Sequence, residues 1–164
     1  MENLLAMPAR PLEVMIGKIS PYVMVGAVQT CVVLIAAKVL FRVPFEREMW
    51  LLLVGVAVFV IANLALGFTF STVAKTQMQA MQLTFFFFLP SMLLSGFMFP
   101  FRGMPEWAQN IGSVLPLTHF LRVVRGVMLK GSEFADVRDP IIAMGIFAIA
   151  VSILAMLRYR KTLD

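Results

Sequence analysis

The sequence predicts an all-α integral membrane protein with about four transmembrane helices. Of its 164 residues, 60% are hydrophobic and 14% are charged, and the mean hydropathy is +0.89. A soluble domain carries about 25% charged residues, and a chain this small could not bury so much apolar surface without lipid. Four apolar runs have the length of membrane-spanning helices. We therefore expect a single transmembrane domain over residues 1–164, with spans at 21–41, 49–73, 83–101 and 141–157.

Residues 1–20 form a broken amphipathic segment before the first span. Pro8 stops a short apolar turn, and Pro11 restarts a helix with an apolar side and a polar side. Taken alone, the pattern is typical of an interfacial helix that rests on lipid. The first span, 21–41, then carries two polar residues at its middle, Gln29 and Thr30.

The second span, 49–73, begins beside Trp50, an aromatic residue typical of the membrane interface. Asn63, Gly67 and Ser71 recur every four residues, so they share one face of this helix. Small and hydrogen-bonding residues allow two membrane helices to approach closely, which favours a packing role. The alternative is that this face forms a polar wall of a transport path.

The third span, 83–101, contains Pro90, which predicts a kink. Residues 102–131, which we call the cap, then show two short amphipathic helical patterns. Pro105 suits the first turn of the first pattern, Trp107 lies on its apolar face, and Pro116 ends it. Arg122 and Arg125 lie opposite the apolar stripe of the second pattern, and Gly131 is its expected stop.

A polar link is expected at 132–139, after which Pro140 starts the fourth span. The sequence offers no catalytic constellation, so the chain is not expected to be an enzyme. His119 is the only histidine, which excludes a two-histidine metal motif. GVMLKGS at 126–132 lacks the order of a phosphate-binding loop, so no cofactor is expected, and any ATP must be bound by another chain. The positive charges mostly flank apolar runs, which argues against nucleic acid as a partner.

The stretch LSGFMFPFRGMPEWAQNIGSVLPLTHFLRVVRGVMLKG at 94–131 resembles the signature region of ABC-2 type permeases, the membrane subunits of bacterial ABC exporters. The resemblance covers the whole chain but only the C-terminal half of such a subunit, so we expect a fragment of a longer permease. It implies a multi-pass protein of the bacterial inner membrane. It also implies efflux driven by ABC ATPase subunits and a second permease subunit, as a homo- or heterodimer.

The same resemblance identifies residues 1–20 as a cytoplasmic coupling helix that docks on the ATPase, and places the cap on the outer side of the membrane. The polar contacts would be Glu2, Arg10, Glu13 and Lys18, and the apolar anchor would be Leu4, Leu5 and Met7. The alternative from another class is a membrane protein without transport activity, such as a small assembly or scaffold factor, or an oligomeric channel. That alternative does not explain the ordered motif of the cap.

Overall fold

A computed structural model describes residues 11–41 and 49–161 of the chain. Within these residues the fold is all-α, with no strand, which confirms the predicted fold class. A short 3-10 helix, Phe101–Gly103, precedes α4, and a π-helical turn, Gly126–Lys130, continues directly from α5. The α-helices are α1 (Pro11–Phe41), α2 (Met49–Val73), α3 (Gln77–Leu94), α4 (Glu106–Val114), α5 (Pro116–Arg125) and α6 (Phe134–Lys161).

Three helices in the described part of the chain are long and apolar enough to cross a membrane, judged by length and composition. These candidate spans are Ile16–Leu40 in α1, the whole of α2, and Phe134–Arg158 in α6. α3 is not among them, so four spans stay a prediction.

The limits of the first and fourth predicted spans differ from those of the helices. α1 runs without interruption from residue 11 to 41 and contains Pro21 in its interior, so the expected boundary between a segment 1–20 and a span 21–41 is absent. α6 likewise begins at Phe134 and passes through Pro140, where a polar link and a helix start were expected. A proline removes one backbone hydrogen bond, and membrane helices tolerate this loss.

The third predicted span, 83–101, differs from α3 at both ends. α3 begins earlier, at Gln77, where the Thr76 hydroxyl accepts a hydrogen bond from the backbone N–H of Gln79. It ends at Leu94, because Gly96 adopts a positive φ of 85°, which is incompatible with a continuing helix. Pro90 lies inside α3, which continues past it.

The core is built along α2 and α6, which run in the same direction. Leu51 near the start of α2 shares one cluster of buried residues with Val137 and Met144 near the start of α6, and Val123 of α5 completes it. A second cluster joins the later parts of the two helices, through Ala65, Leu66 and Val151, and Phe87 of α3 packs against it. α5 therefore covers one end of the α2–α6 pair and α3 covers the other.

The other two long helices run antiparallel to α2. Lys18 early in α1 lines a cavity with Ser71 late in α2, whereas Ala37 late in α1 lines another with Leu52. The middle of α3 packs beside the C-terminal half of α2, and its end reaches the cap, which packs against the N-terminal half. The start of α1 and the α2–α3 turn thus share one end of the molecule, and the cap lies at the opposite end.

Candidate functional site

The polar face of α2, formed by Asn63, Gly67 and Ser71, is exposed along its length. A Cβ atom added to Gly67 would meet no atom within 4 Å. The Asn63 side-chain N–H donates a hydrogen bond to the backbone oxygen of Phe59 at 2.8 Å, which leaves its Oδ1 and its second N–H for another partner. Within the described residues, no helix closes over this face, which borders open space.

A cavity of about 360 Å³ lies between the polar face and the first part of α1. From α2 it is lined by all three residues of the polar face together with Leu64 and Phe68, and from α1 by Lys18, Ile19 and Tyr22. This α1–α2 cavity combines apolar walls with an ammonium group, a phenol, an amide and a hydroxyl. A concave site of this kind suits an amphipathic small molecule.

A second cavity, of about 170 Å³, borders the polar face on its other side. Asn63 and Gly67 line this α2–α3 cavity too, and Thr84 and Ser91 of α3 face it from across. Ser91 Oγ donates to the backbone oxygen of Phe87 at 2.7 Å, and Thr84 Oγ1 donates to that of Ala80 at 2.9 Å. Asn63 and Gly67 are therefore common to the two cavities, which makes them the centre of the candidate path.

The two polar residues expected at the middle of the first span lie apart from this site. Gln29 and Thr30 line a different cavity, of about 410 Å³, whose other walls come from the first half of α2 and from α5. Thr30 Oγ1 donates to the backbone oxygen of Gly26 at 2.8 Å. Its hydroxyl hydrogen is thus used within its own helix, and the surrounding surface is mostly apolar.

Only two of the expected coupling residues lie within the described residues. Lys18 lines the α1–α2 cavity, and Glu13 lies exposed between one and two turns earlier on α1. The others, Glu2, Leu4, Leu5, Met7 and Arg10, lie outside the described residues. The structure thus brings Lys18 together with the polar face of α2, a juxtaposition that no spacing in the sequence indicates.

Phe101, the residue directly before the cap, contacts both the end of α3 and the cap. The Arg122 guanidinium lies 5.2 Å above its ring centroid, at the distance of a cation–π contact. A Cβ atom on Gly96 or on Gly112 would also press against Phe101. Arg125 donates from Nη2 to the backbone oxygen of Gly96 at 2.8 Å. These contacts fasten the end of α3 to α4 and α5.

The two prolines of the cap occupy helix starts. Pro105 is the N-cap residue of α4, one position before the helix, and Pro116 is the first residue of α5. α4 ends at Val114, and Leu115 alone separates the two helices. Thr118 Oγ1 donates to the backbone oxygen of Gly112 at 2.6 Å across this joint. Gly131 ends the π-helical turn with a φ of 59°.

The apolar stripe of α4 is divided between the protein and its surroundings. Ala108 and Leu115 are buried, whereas Trp107, Ile111 and Val114 are at least half exposed. These three exposed residues follow one another at four and three positions, so they form one apolar ridge. A ridge of this kind on a membrane protein suits contact with lipid.

His119 of α5 is partly buried and faces the end of α4. Its Nε2 lies 2.7 Å from the backbone oxygen of Ser113, and because a carbonyl only accepts, Nε2 carries the hydrogen. Nδ1 is buried and has no partner within the described residues. Burial lowers the pKa of His119, the hydrogen bond to Ser113 opposes that shift, and the charge of Arg122 adds to it. This environment indicates a neutral structural histidine.

Comparison with known proteins assigns the family. The chain matches the family described as ABC-2 family transporter protein over residues 1–157. It belongs to that family. It is 31% identical to the inner membrane transport permease YhhJ of Escherichia coli K12 over 99% of its own length and 44% of the relative's. It is 29% identical to the probable multidrug ABC transporter permease YbhR of the same organism, over 81% of its length and 36% of that protein's.

A eukaryotic protein is also similar. ABC transporter G family member 20 of Dictyostelium discoideum is 28% identical over 80% of this chain and 18% of that protein. The chain thus spans less than half the length of these relatives. No solved structure matches it. The predicted resemblance to ABC-2 permeases is confirmed by the family match.

Several residues of the candidate site carry no signal in the sequence. Tyr22 lies at the start of an apolar run, and Thr84 and Ser91 stand among apolar residues. The spacing of residues in a sequence indicates which of them share one helix face. It does not show which faces of other helices meet them, so these lining residues depend on tertiary packing.

Proposed function

We propose that this chain forms part of the membrane-spanning subunit of an ATP-driven ABC-2 exporter in the bacterial inner membrane. The observation that supports this most is the shared cavity of Lys18 and the polar face of α2 in a chain of this family. The N-terminal half of α1 would connect an ATPase subunit to the path, and the polar face would be one wall of that path. A second permease subunit would supply the opposite wall.

The packing of α1 supports a role in transmitting movement. None of its candidate span is buried against the rest of the chain, compared with 33% of the span in α2 and 22% of that in α6. α1 can therefore tilt or slide against α2 without disrupting the α2–α6 core, in the manner of a rigid-body transition. Such a movement would change the width of the α1–α2 cavity directly, because α1 forms one of its walls.

The chain itself would bind neither ATP nor a metal ion in this scheme, and would perform no hydrolysis. Nucleotide binding by the ATPase pair would stabilise one of two arrangements of α1 and so shift the population of the open cavity. The cap at the far end of the path would limit leakage through the path across the membrane.

The cargo class follows from the cavity and from one relative. The α1–α2 cavity, at about 360 Å³, is within the range of small-molecule sites, about 300–1,000 Å³. Its apolar walls with few polar groups suit a hydrophobic or amphipathic molecule. YbhR, a similar protein, is named as a probable multidrug permease. We therefore propose efflux of hydrophobic small molecules.

The experiment is affinity purification of the full chain in mild detergent, with mass spectrometry of the proteins that accompany it. We expect an ABC ATPase subunit in the eluate. Glu13→Lys should lower its recovery by about fivefold or more, as the loss of a contact at an interface does. Glu133→Lys is the matched control, because this exposed glutamate lies before α6 at the opposite end of the molecule.

Two results would contradict the proposal. One is an eluate without any ABC ATPase subunit, from cells that also express the rest of the permease. The other is equal recovery of the ATPase with Glu13→Lys and with Glu133→Lys, which would remove the start of α1 from the coupling interface.

A further inference from the structure

Four cationic side chains converge on a cavity of about 600 Å³ between the cap and the start of α6. We call it the basic pocket. Arg102 comes from the 3-10 helix, Arg122 and Arg125 come from α5, and Lys130 comes from the π-helical turn. Asp136 is the acidic residue of its lining, so four positive charges and one negative charge give a net charge of +3.

The positive charge is not neutralised by neighbouring carboxylates. Among the described residues, no ion pair joins Asp136 to any of the four cations, and the pair between Arg138 and Asp139 lies outside the pocket. Arg122 rests on the Phe101 ring, and Arg125 is held by the Gly96 oxygen. The contact of Arg122 with the ring uses none of its five N–H donors, and the hydrogen bond of Arg125 uses one. Each guanidinium is thus held in place by a contact that leaves most of its donors unused.

The pocket lies beside the start of the candidate span of α6. Asp136, Val137 and Pro140 line it, and the candidate span of α6 begins at Phe134. At the same level Trp50 stacks on Phe134 with ring centroids 5.9 Å apart, and aromatic residues of this kind mark the membrane interface. The pocket therefore combines cationic donors with apolar wall atoms at the level of the lipid headgroups.

We propose that the basic pocket binds the phosphate of an anionic phospholipid headgroup. Arginine guanidinium groups and a lysine ammonium match the charge and the acceptor geometry of a phosphate. Basic pockets next to membrane helices are suited to anionic headgroups for the same reason. The lipid would bridge α5 and α6, and the inference does not depend on a transport activity or on its direction.

The test is native mass spectrometry of the full chain from detergent with equal amounts of phosphatidylglycerol and phosphatidylcholine. We expect preferential retention of phosphatidylglycerol. The double variant Arg102→Gln/Lys130→Gln should weaken its binding about tenfold or more. The exchange Arg102→Lys/Lys130→Arg keeps the charge and should retain the lipid.

The control removes the same charge elsewhere. Lys75→Gln/Arg138→Gln alters two exposed cations outside the pocket and should leave lipid retention unchanged. Competition with inorganic phosphate identifies the source of the recognised group. Displacement of the lipid shows that the phosphate alone carries recognition, and resistance to displacement shows that the acyl chains contribute.

Two outcomes would overturn the proposal. The first is equal retention of phosphatidylglycerol and phosphatidylcholine by the unaltered chain. The second is an equal loss of phosphatidylglycerol in the pocket variant and in the control variant. That result would show that retention depends on the net charge of the chain rather than on the basic pocket.

Discussion

Arg125 Nη2 donates a hydrogen bond to the backbone oxygen of Gly96 at 2.8 Å and so joins two residues 29 positions apart in the chain. Gly96 lies just past the end of α3, where its positive φ turns the chain toward the cap. This bond therefore fixes the angle at which the cap meets the end of α3, and it connects the basic pocket to the helix beside the candidate path.

Replacing Arg125 by methionine should destabilise the fold by about 1.5 kcal/mol, because a hydrogen bond to a charged group contributes about 1.5–3 kcal/mol. Methionine keeps the aliphatic stem and removes only the donors. The apparent Tm of the detergent-solubilised chain measures the change. Arg138→Met is the control, since its exposed ion pair with Asp139 contributes less than about 1 kcal/mol. Equal shifts for the two variants would show that the bond to Gly96 is unimportant.

A methyl group at Gly112 should disrupt the joint between α3 and the cap. A Cβ atom there would overlap the backbone oxygen of Leu94 and lie 2.9 Å from Cε2 of Phe101. A carbonyl oxygen at the end of a packed helix cannot move aside freely, so we expect Gly112→Ala to cost about 2–3 kcal/mol. Thermal unfolding followed by circular dichroism measures the loss.

Gly145→Ala is the matched control for that variant. Gly145 is also helical, in α6, and an added Cβ atom would meet no atom within 4 Å. Alanine should be neutral there or stabilising by up to about 1 kcal/mol, from helix propensity. A fall in apparent Tm as large as that of Gly112→Ala would mean that the close approach to Leu94 does not determine the effect.

Hydropathy predicts where the helices lie more reliably than it predicts where each helix begins and ends. Residues 49–73 are mostly apolar and contain no charged residue and no proline, and α2 has those limits. At Pro21 and Pro140 the sequence shows a residue that favours helix starts, but the apolar chain continues on both sides and the helix continues through it. The end of α3 depends on the backbone conformation of Gly96, which an apolar run does not reveal.

In the candidate site too, the sequence predicts what depends on local helix geometry but not what depends on tertiary packing. The four-residue spacing of Asn63, Gly67 and Ser71 suffices to place them on one face, because helix geometry is local. Their meeting with Lys18 depends on the antiparallel packing of α1, which is a tertiary property. In the cap, Thr118 and Val123 of α5 are almost fully buried. Val123 fits because Gly55 on α2 leaves room for it, a match between distant residues.

His119 should make the stability of the cap depend on pH. Its pKa in the folded chain lies below the ordinary value of 6.5, because protonation would place a charged N–H at the buried Nδ1. Between these two pKa values the unfolded chain binds more protons, so the free energy of unfolding rises with pH there. Stability should be complete above about pH 6.5 and should fall as the pH drops through the window below it.

His119→Gln tests whether this histidine causes the pH dependence of stability. The glutamine side-chain N–H can still donate to the Ser113 oxygen, but glutamine does not titrate in this range. Apparent Tm values measured in steps from pH 8 to pH 5 should show a flatter profile for the variant than for the unaltered chain. Parallel profiles for the two proteins would assign the pH dependence to other groups.

Gly67 is where the proposed path is most sensitive to added volume, since this residue borders both the α1–α2 and the α2–α3 cavities. Gly67→Leu should place an isobutyl group in that open space and reduce transport several-fold. The apparent Tm should change little, because nothing lies within 4 Å of the new Cβ atom. The measurement is ATP-dependent accumulation of a hydrophobic fluorescent dye by inverted membrane vesicles that contain the chain with its permease and ATPase partners. Gly145→Leu adds the same group to equally open space on α6, away from both cavities. Because the two variants differ in position rather than in bulk, equal transport by both would place the path elsewhere than along the polar face of α2.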